Sequence, residues 1–576
     1  MSEILSLFDL GCEKHRFQSS QDAESGNRMS TRMPLPSLSS VPVSGVVNLH
    51  EILPDARFFH ADGSGVNGGA AMSIRRCTTD PTEFSSDAAL VLLPGTELPA
   101  GAMTDGVFSG RLRHDDSAKN TVSGNMSGGW SGAIIASEPI PGCRTPVLVV
   151  SDPAVAYGRI CHALAGYPTR QLRLVGVLGS RSASGVATLL AGILQAAGRQ
   201  FGMLGSTGCM DGTEMLSTRL HRRSVGGLVR WLQSCVQAGS THAVLEITPS
   251  MLASGVTAGC EFDVLCVGDY VALRGETSSE MSGAGEAETT GEPETVGVLD
   301  RLFGQMRSGP GCGFAVFNAD SPAAVRIFDR VATPALTVGV QHHADLHAKI
   351  LVQSSSEQTF LMMAGDDAIP VRTRRIGHRI VSDSLIAAAV GLGWEVSLPT
   401  IVRGIESIDT APGHCERIVC GQNFSVYVES RRGLPTLRET LSTLRDTSPH
   451  RMTCVVDAES FMAQPRRIQW IEMLAESADR IVLTAARSTV RRRFRSDDER
   501  ARSGDALRPQ LEAIRRAFPN PSQVQVMPDR KTAIAAALRK ASGGDLVLLA
   551  GGRRTTDPQT GERIDDAEIS RRLLRK

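Results

Sequence analysis

Between Leu172 and Gly198 the chain reads LRLVGVLGSRSASGVATLLAGILQAAG, and few folds accommodate that order of residue types. An apolar run, Leu172 to Leu178, passes into a loop of small residues and then into apolar positions at helical spacing. Strand, glycine-containing turn and helix together aim backbone N–H groups and a helix N-terminus at a phosphate. A complete phosphate-binding loop reads G-x-x-x-x-G-K-[ST]. Here Gly179 is followed by Ser180, Arg181, Ser182, Ala183 and Ser184, so alanine stands where lysine is expected. The shape of the motif is kept and its point charge is gone.

Lysine is scarce throughout. The chain has only Lys14, Lys119, Lys349, Lys531, Lys540 and Lys576, so no lysine lies between 119 and 349. At 576 residues, with 57 glycines and 41% hydrophobic content, the composition suits a multi-domain α/β protein. The formal net charge is zero, and nothing global argues for a nucleic-acid partner or an acidic membrane surface. The 12 cysteines contain no C-x-x-C pair and read as reduced, buried small hydrophobes. No apolar run is long enough for membrane insertion; Leu385–Trp394 comes nearest. The N-terminus carries acidic residues before basic ones and lacks a long apolar core, unlike a signal peptide, so a cytoplasmic protein is expected.

Residues 1–42, rich in Ser, Pro and Arg, read as a disordered tail. Residues 43–150 alternate short β-like runs such as AALVLLPG and SGAIIAS with Gly- and Asp-rich turns, as in a small α/β domain. From 151 to 410 strands and helices alternate: Leu172–Leu178 as strand, Gly185–Ala197 as helix, then FGMLGSTG, HAVLEITPS, DVLCVGDY and GFAVFNAD as strands. That succession predicts a doubly wound parallel sheet with ligands at the carboxyl ends of its strands. Gly275–Thr295, almost free of apolar residues, reads as a disordered insertion. From 411 onward RMTCVVDA, DRIVLTAA and GDLVLLAGG are strands separated by helical segments, a second Rossmann-like succession without G-x-G-x-x-G.

Two further features have both a structural and a functional reading. HHADLH places His342, His343 and His347 near Asp345, and the i, i+4 histidine pair on a helix is a possible metal site. The Arg-rich Ser488–Arg508 carries both signs, as a solvated face or as a trap for anionic groups.

The order of these segments resembles the Mur ligase family, and within it the UDP-N-acetylmuramoyl-tripeptide synthetases. The resemblance runs from about Val43 to the C-terminus and is densest over RICHALAGYPTRQLRLVGVLGSRSASGVATLLAGILQAAGRQFGMLGSTG. It implies a three-domain α/β architecture, with a central P-loop-like parallel-sheet domain and a Rossmann-like C-terminal domain. It also implies ATP and magnesium as cofactors, and a UDP-N-acetylmuramoyl-peptide precursor and an amino acid as partners. Gly179, Ser180, Arg181, Ser182 and Ser184 fall on the family's phosphate loop, Glu246 on its magnesium-holding glutamate, and Asp80 on its uridine-nucleotide segment.

Such enzymes phosphorylate a carboxylate with ATP and let an amine attack the acyl phosphate, a step that needs charge neutralised on the γ-phosphate. This chain departs from the family at many of the positions concerned. Ala183 replaces the loop lysine, and the lysine-free span leaves no residue for the family's carbamylated lysine. Ser250 stands for a histidine, Glu429-Ser430-Arg431-Arg432 for Asp-Tyr-Ala-His, and Ala486-Arg487-Ser488-Thr489 for the Asp-Asn-Pro-Arg motif that selects diaminopimelate. Gly551-Gly552-Arg553-Arg554-Thr555 stands for Gly-Lys-Gly-His-Glu, and Thr82 for an arginine. Losing one preorganised stabiliser typically costs on the order of 10²–10³ in rate. The expectation is therefore either an amino-acid ligase with a divergent site or a non-catalytic relative that binds a precursor, nucleotide or partner enzyme.

Overall fold

A computed structural model describes residues 46–59, 65–66, 72–80, 87–93, 132–140, 145–179, 183–206, 208–214, 224–268, 299–307, 313–409, 415–430, 433–458, 467–485, 508–552, 555–556 and 563–575. The expected tail at 1–42 and the expected insertion at 275–295 lie outside them.

The N-terminal sheet has six strands. Arg76–Thr78, Ala88–Val91, Ala133–Ala136 and Val147–Val149 run parallel, and Arg57–Phe59 and Gly65–Val66 add an antiparallel edge. Helix α1 (Pro153–Leu164) opens on Asp152, whose carboxylate accepts from the N–H groups of Ala154 and Val155, with proline at the first helical position. Its apolar face, including Ile160, Cys161 and Leu164, is buried in the core beneath this sheet.

The central sheet is the frame of the molecule. In chain order its strands are β1 (Arg173–Leu178), β2 (Phe201–Leu204), β3 (Cys209–Met210), β4 (His242–Ile247), β5 (Val264–Val267), β6 (Phe314–Asn318), β7 (Ala335–Gly339), β8 (Leu346–Gln353), β9 (Gln358–Ala364) and β10 (Asp367–Thr373). Across the sheet they lie in the order β3-β2-β4-β1-β5-β6-β7-β8-β9-β10, parallel from β2 to β8. Helices α2 (Ala183–Ala196), α4 (His378–Gly393) and α5 (Leu398–Glu406) pack on one face, and α3 (Val225–Gln237) on the other. β1, β4 and β5 are buried at nearly every position because helices cover both faces, which explains their unbroken apolar runs.

Two local readings need correction. The helix after β1 begins at Ala183, two residues before the expected Gly185. HHADLH is not helical: His342 and His343 lie in a turn and His347 in β8. Helical spacing therefore does not bring these side chains together, although the rings of His343 and His347 stack at 5.7 Å.

The C-terminal sheet holds β11 (Glu416–Arg417), β12 (Ser425–Glu429), β13 (Met452–Asp457), β14 (Arg480–Ala485), β15 (Val524–Asp529) and β16 (Leu546–Ala550), in the order β11-β12-β16-β13-β14-β15. All pairs are parallel except β11 with β12. Helices α6 (Leu434–Asp446), α7 (Arg467–Ser477), α8 (Arg530–Lys540) and α9 (Asp566–Leu574) complete a Rossmann-like layer structure. At the carboxyl ends of its strands Arg530 donates to both oxygens of Asp566, to Oγ1 of Thr484 and to the Ala550 carbonyl. This guanidinium ties the ends of β14 and β16 to the start of α9.

Candidate active site

β1 is flanked by β4 and β5, and the chain leaves it to opposite sides of the sheet, so its carboxyl end is a topological switch point. The strand ends at Leu178, Gly179 follows, and α2 starts at Ala183. Ser180, Arg181 and Ser182 lie outside the described residues. Ala183 is 1% exposed and belongs to the core between α2 and the sheet. Ser184, next in the first turn, is also buried, and its carbonyl accepts from Thr188 Oγ1 at 2.7 Å.

Glu246 sits beside the end of β1 because β4 pairs in register with it, Glu246 opposite Val177. Its Oε2 accepts from the backbone N–H of Ser206, which orients the carboxylate towards the end of the sheet. A side-chain carbon on Gly205 would come within 2.8 Å of the same oxygen, so glycine is what lets the turn after β2 close over Glu246. Ser250 falls in the short helix Pro249–Ala253, directly after β4, with its hydroxyl 3.0 Å from Thr248 Oγ1.

The opposite wall is α4. Asp383 is 1% exposed, and a side-chain carbon on Gly185 would lie 2.1 Å from its Oδ2. A carboxylate therefore packs on the backbone of the first turn of α2. One helical turn earlier on α4, Arg379 pairs with Glu439 of α6 at 3.3 Å. Burial opposes the charge of Arg379, and the carboxylates of Glu439, Asp383 and Glu429 outweigh it. Glu429, fully buried at the end of β12, accepts from the N–H of Cys415 and from Thr440 Oγ1, both at 3.2 Å. A line of charge, Asp383–Arg379–Glu439, thus runs from α2 into the C-terminal domain. Sequence reasoning missed Asp383 and Arg379; the available signal was an acid set inside the apolar stretch from Ile380 to Leu392.

The other expected site residues are dispersed. Asp80 follows the edge strand Arg76–Thr78, half-buried, its N–H donating to Thr78 Oγ1 at 3.0 Å. Asp320, just past β6, accepts from the N–H groups of Val340, Gln341 and His342 and lies 3.0 Å from the His342 ring, so it fastens the turn after β7. Thr82, Arg431, Arg432, Ala486–Thr489, Arg553 and Arg554 lie outside the described residues, as does Ser488–Arg508 apart from Arg508. Among the described residues no group of three or more His, Cys, Asp or Glu side chains is arranged to hold a metal ion. Nor is any helix among them long and apolar enough to cross a membrane.

Known proteins carry the same plan. Residues 435–553 match the family described as Mur ligase, glutamate ligase domain. Over 446 residues the chain is 25% identical to the UDP-N-acetylmuramoyl-L-alanyl-D-glutamate–2,6-diaminopimelate ligase of Bacillus licheniformis, covering 77% of this chain and 86% of that one. The chain is a homologue of the Mur ligases. The Listeria monocytogenes ligase of the same name is 24% identical over 434 residues, covering 75% of this chain and 84% of the relative. Among solved structures, a UDP-N-acetylmuramoyl-L-alanyl-D-glutamate–2,6-diaminopimelate ligase superposes with a TM-score of 0.61 at 17% identity, covering 92% of this chain and 99% of that one. The MurF ligase of Thermotoga maritima, solved in complex with ADP, superposes with a TM-score of 0.50 at 14% identity, over 77% and 88% of the two chains. The multi-domain α/β architecture of the Mur ligases is therefore that of this chain, and its relatives are ligases named for a peptidoglycan precursor.

The strand and the helix of a nucleotide-type site are present, with Ser184 in the first turn of α2 and Glu246 near the end of β4. The lysine position is a buried alanine, and the charged side chain packed on α2 is a carboxylate.

Proposed function

We propose that this Mur ligase homologue binds a UDP-N-acetylmuramoyl-peptide precursor and does not complete ATP-driven amide ligation. One observation carries the reading: Ala183 opens α2 as a buried core residue, within a span that has no lysine from 120 to 348. ATP in such a cleft supplies the phosphoryl group that activates a carboxylate, and that transfer demands cationic charge around the γ-phosphate. Here the acids beside the end of β1 and the start of α2 are Glu246 and Asp383, and Arg379 is paired with Glu439. In this reading residues 43–150, with Asp80, take the uridine nucleotide end of the precursor. Residues 151–410 form the nucleotide-type cleft, and 411–576 supply the domain that faces it.

A second reading, an amino-acid ligase with a divergent site, is favoured by one feature. The pair Ser184 and Glu246 retains a hydroxyl and a carboxylate suited to magnesium at the end of the sheet. Purified protein incubated with ATP, magnesium, UDP-N-acetylmuramoyl-L-alanyl-D-glutamate and a panel of amino acids decides between the two. The expected result is precursor binding without tripeptide formation or precursor-dependent phosphate release. Formation of tripeptide overturns the non-ligating reading.

A further inference from the structure

We propose that Asp383 is a specificity-determining residue, a resident anion at the first turn of α2 that weakens the hold of this cleft on an adenine nucleotide. This rests on the proposed reading of the end of β1 and the start of α2 as a nucleotide-type site that has lost its cation.

Three observations meet at this residue. The carboxylate lies where a side-chain carbon of Gly185 would otherwise sit, one residue beyond Ser184 and two beyond Ala183. It is 1% exposed, so water does not screen it. It packs on the first turn of a 14-residue helix, the end at which a helix dipole favours negative charge. A nucleotide phosphate seeks the same end of the same helix. With the carboxylate in place, an incoming phosphate meets like charge across a poorly screened distance.

Arg379 adds a second consequence. It stands between Asp383 and the acids of the C-terminal domain, with Glu439 at 3.3 Å, so the compensating cation is shared with α6. The anion at α2 is thereby part of the contact between the central and C-terminal domains. The hydroxyl of Tyr427, on β12, donates to the Ser355 carbonyl between β8 and β9, a second tie across the same boundary.

Calorimetric titration of the full chain with ADP, with and without magnesium, tests the assignment. Asp383→Asn keeps the shape and removes the charge, and is expected to bind ADP at least about tenfold more tightly than the wild type under both conditions. Unchanged affinity in a folded D383N overturns the proposal. Weaker binding confined to the magnesium titration also overturns it, because the carboxylate is then a metal ligand. Asp383→Ser provides the same comparison should the asparagine variant fold poorly. Arg379→Met supplies an independent reading: amide exchange in α6 is expected to rise severalfold, and unaltered exchange removes the link to the C-terminal domain. Ligase activity in the wild type would overturn the proposed function without touching these affinity comparisons.

Discussion

The Asp383 carboxylate packs against the backbone of Gly185, so the third residue of α2 has no room for a side chain. On propensity alone Gly→Ala inside a helix stabilises by up to about 1 kcal/mol. Here the added methyl must displace a buried carboxylate, and overpacking of this kind typically costs about 1–3 kcal/mol. Gly185→Ala is therefore expected to lower the urea midpoint of the central domain. The D383N/G185A pair should not rescue it, since asparagine has the same bulk.

Restoring the missing lysine probes the same geometry. Ala183→Lys alone is expected to change ADP affinity little, because the Asp383 carboxylate, packed on the same first turn of α2, offsets the charge of the new ammonium. In a D383N background the lysine is free to meet phosphate. The two substitutions should therefore be non-additive by about 1 kcal/mol or more, within the range seen for contacting residues. A double-mutant cycle on ADP binding measures this coupling, and strict additivity would contradict it.

Arg530 makes its hydrogen bonds to Asp566, Thr484 and the Ala550 carbonyl in a buried position. Removing one partner of a buried pair leaves the other uncompensated, at a cost of about 3–5 kcal/mol. Arg530→Met should destabilise the C-terminal domain by that order, and Arg530→Met with Asp566→Leu should recover most of the loss. Chemical unfolding followed by the near-ultraviolet signal of Trp470, in the neighbouring core cluster of the same domain, reads both.

Acid should act through buried histidines. Burial pulls the His162 pKa down to about 3, and burial, helped by Arg173 and Arg199, pulls that of His242 down to about 4. Both remain neutral in the folded state while their unfolded counterparts take up protons below about pH 6.5. Their effect on stability is absent above that pH. As pH falls from about 6.5 towards 4 the unfolded state binds more protons, and each histidine removes up to about 1.4 kcal/mol per pH unit. His162→Leu is expected to flatten the stability profile between pH 6 and 4, and an unchanged slope would remove His162 from the account.

Precursor binding is a separate matter from nucleotide binding. Asp80→Ala is expected to weaken binding of UDP-N-acetylmuramoyl-L-alanyl-D-glutamate about tenfold, the scale of one charge-assisted hydrogen bond. Its melting temperature should match the wild type, because Asp80 is only half-buried after an edge strand.

Legibility in the sequence followed the strength of local signals. β1, β4 and β5 and helices α1 to α3 were readable because burial on both sheet faces writes unbroken apolar runs and 3.6-residue stripes. The antiparallel extension β8–β10 was not readable, since exposed positions such as Leu351 and Val352 blur its alternation. HHADLH had helical spacing and became turn and strand because Asp320 fastens the preceding turn from 22 residues away. Ala183 and Glu246 could be located from their neighbours in the chain. Asp383 could not: it meets Gly185 only through the packing of α4 on α2, nearly two hundred positions apart in sequence.

The clamp made by Arg530 has a bearing on how such a chain can change over time. Because its own guanidinium joins the ends of β14 and β16 to α9, the rim of the C-terminal fold is held by an ion pair internal to the domain. Segments at that rim can then be rewritten without unfolding the domain beneath them.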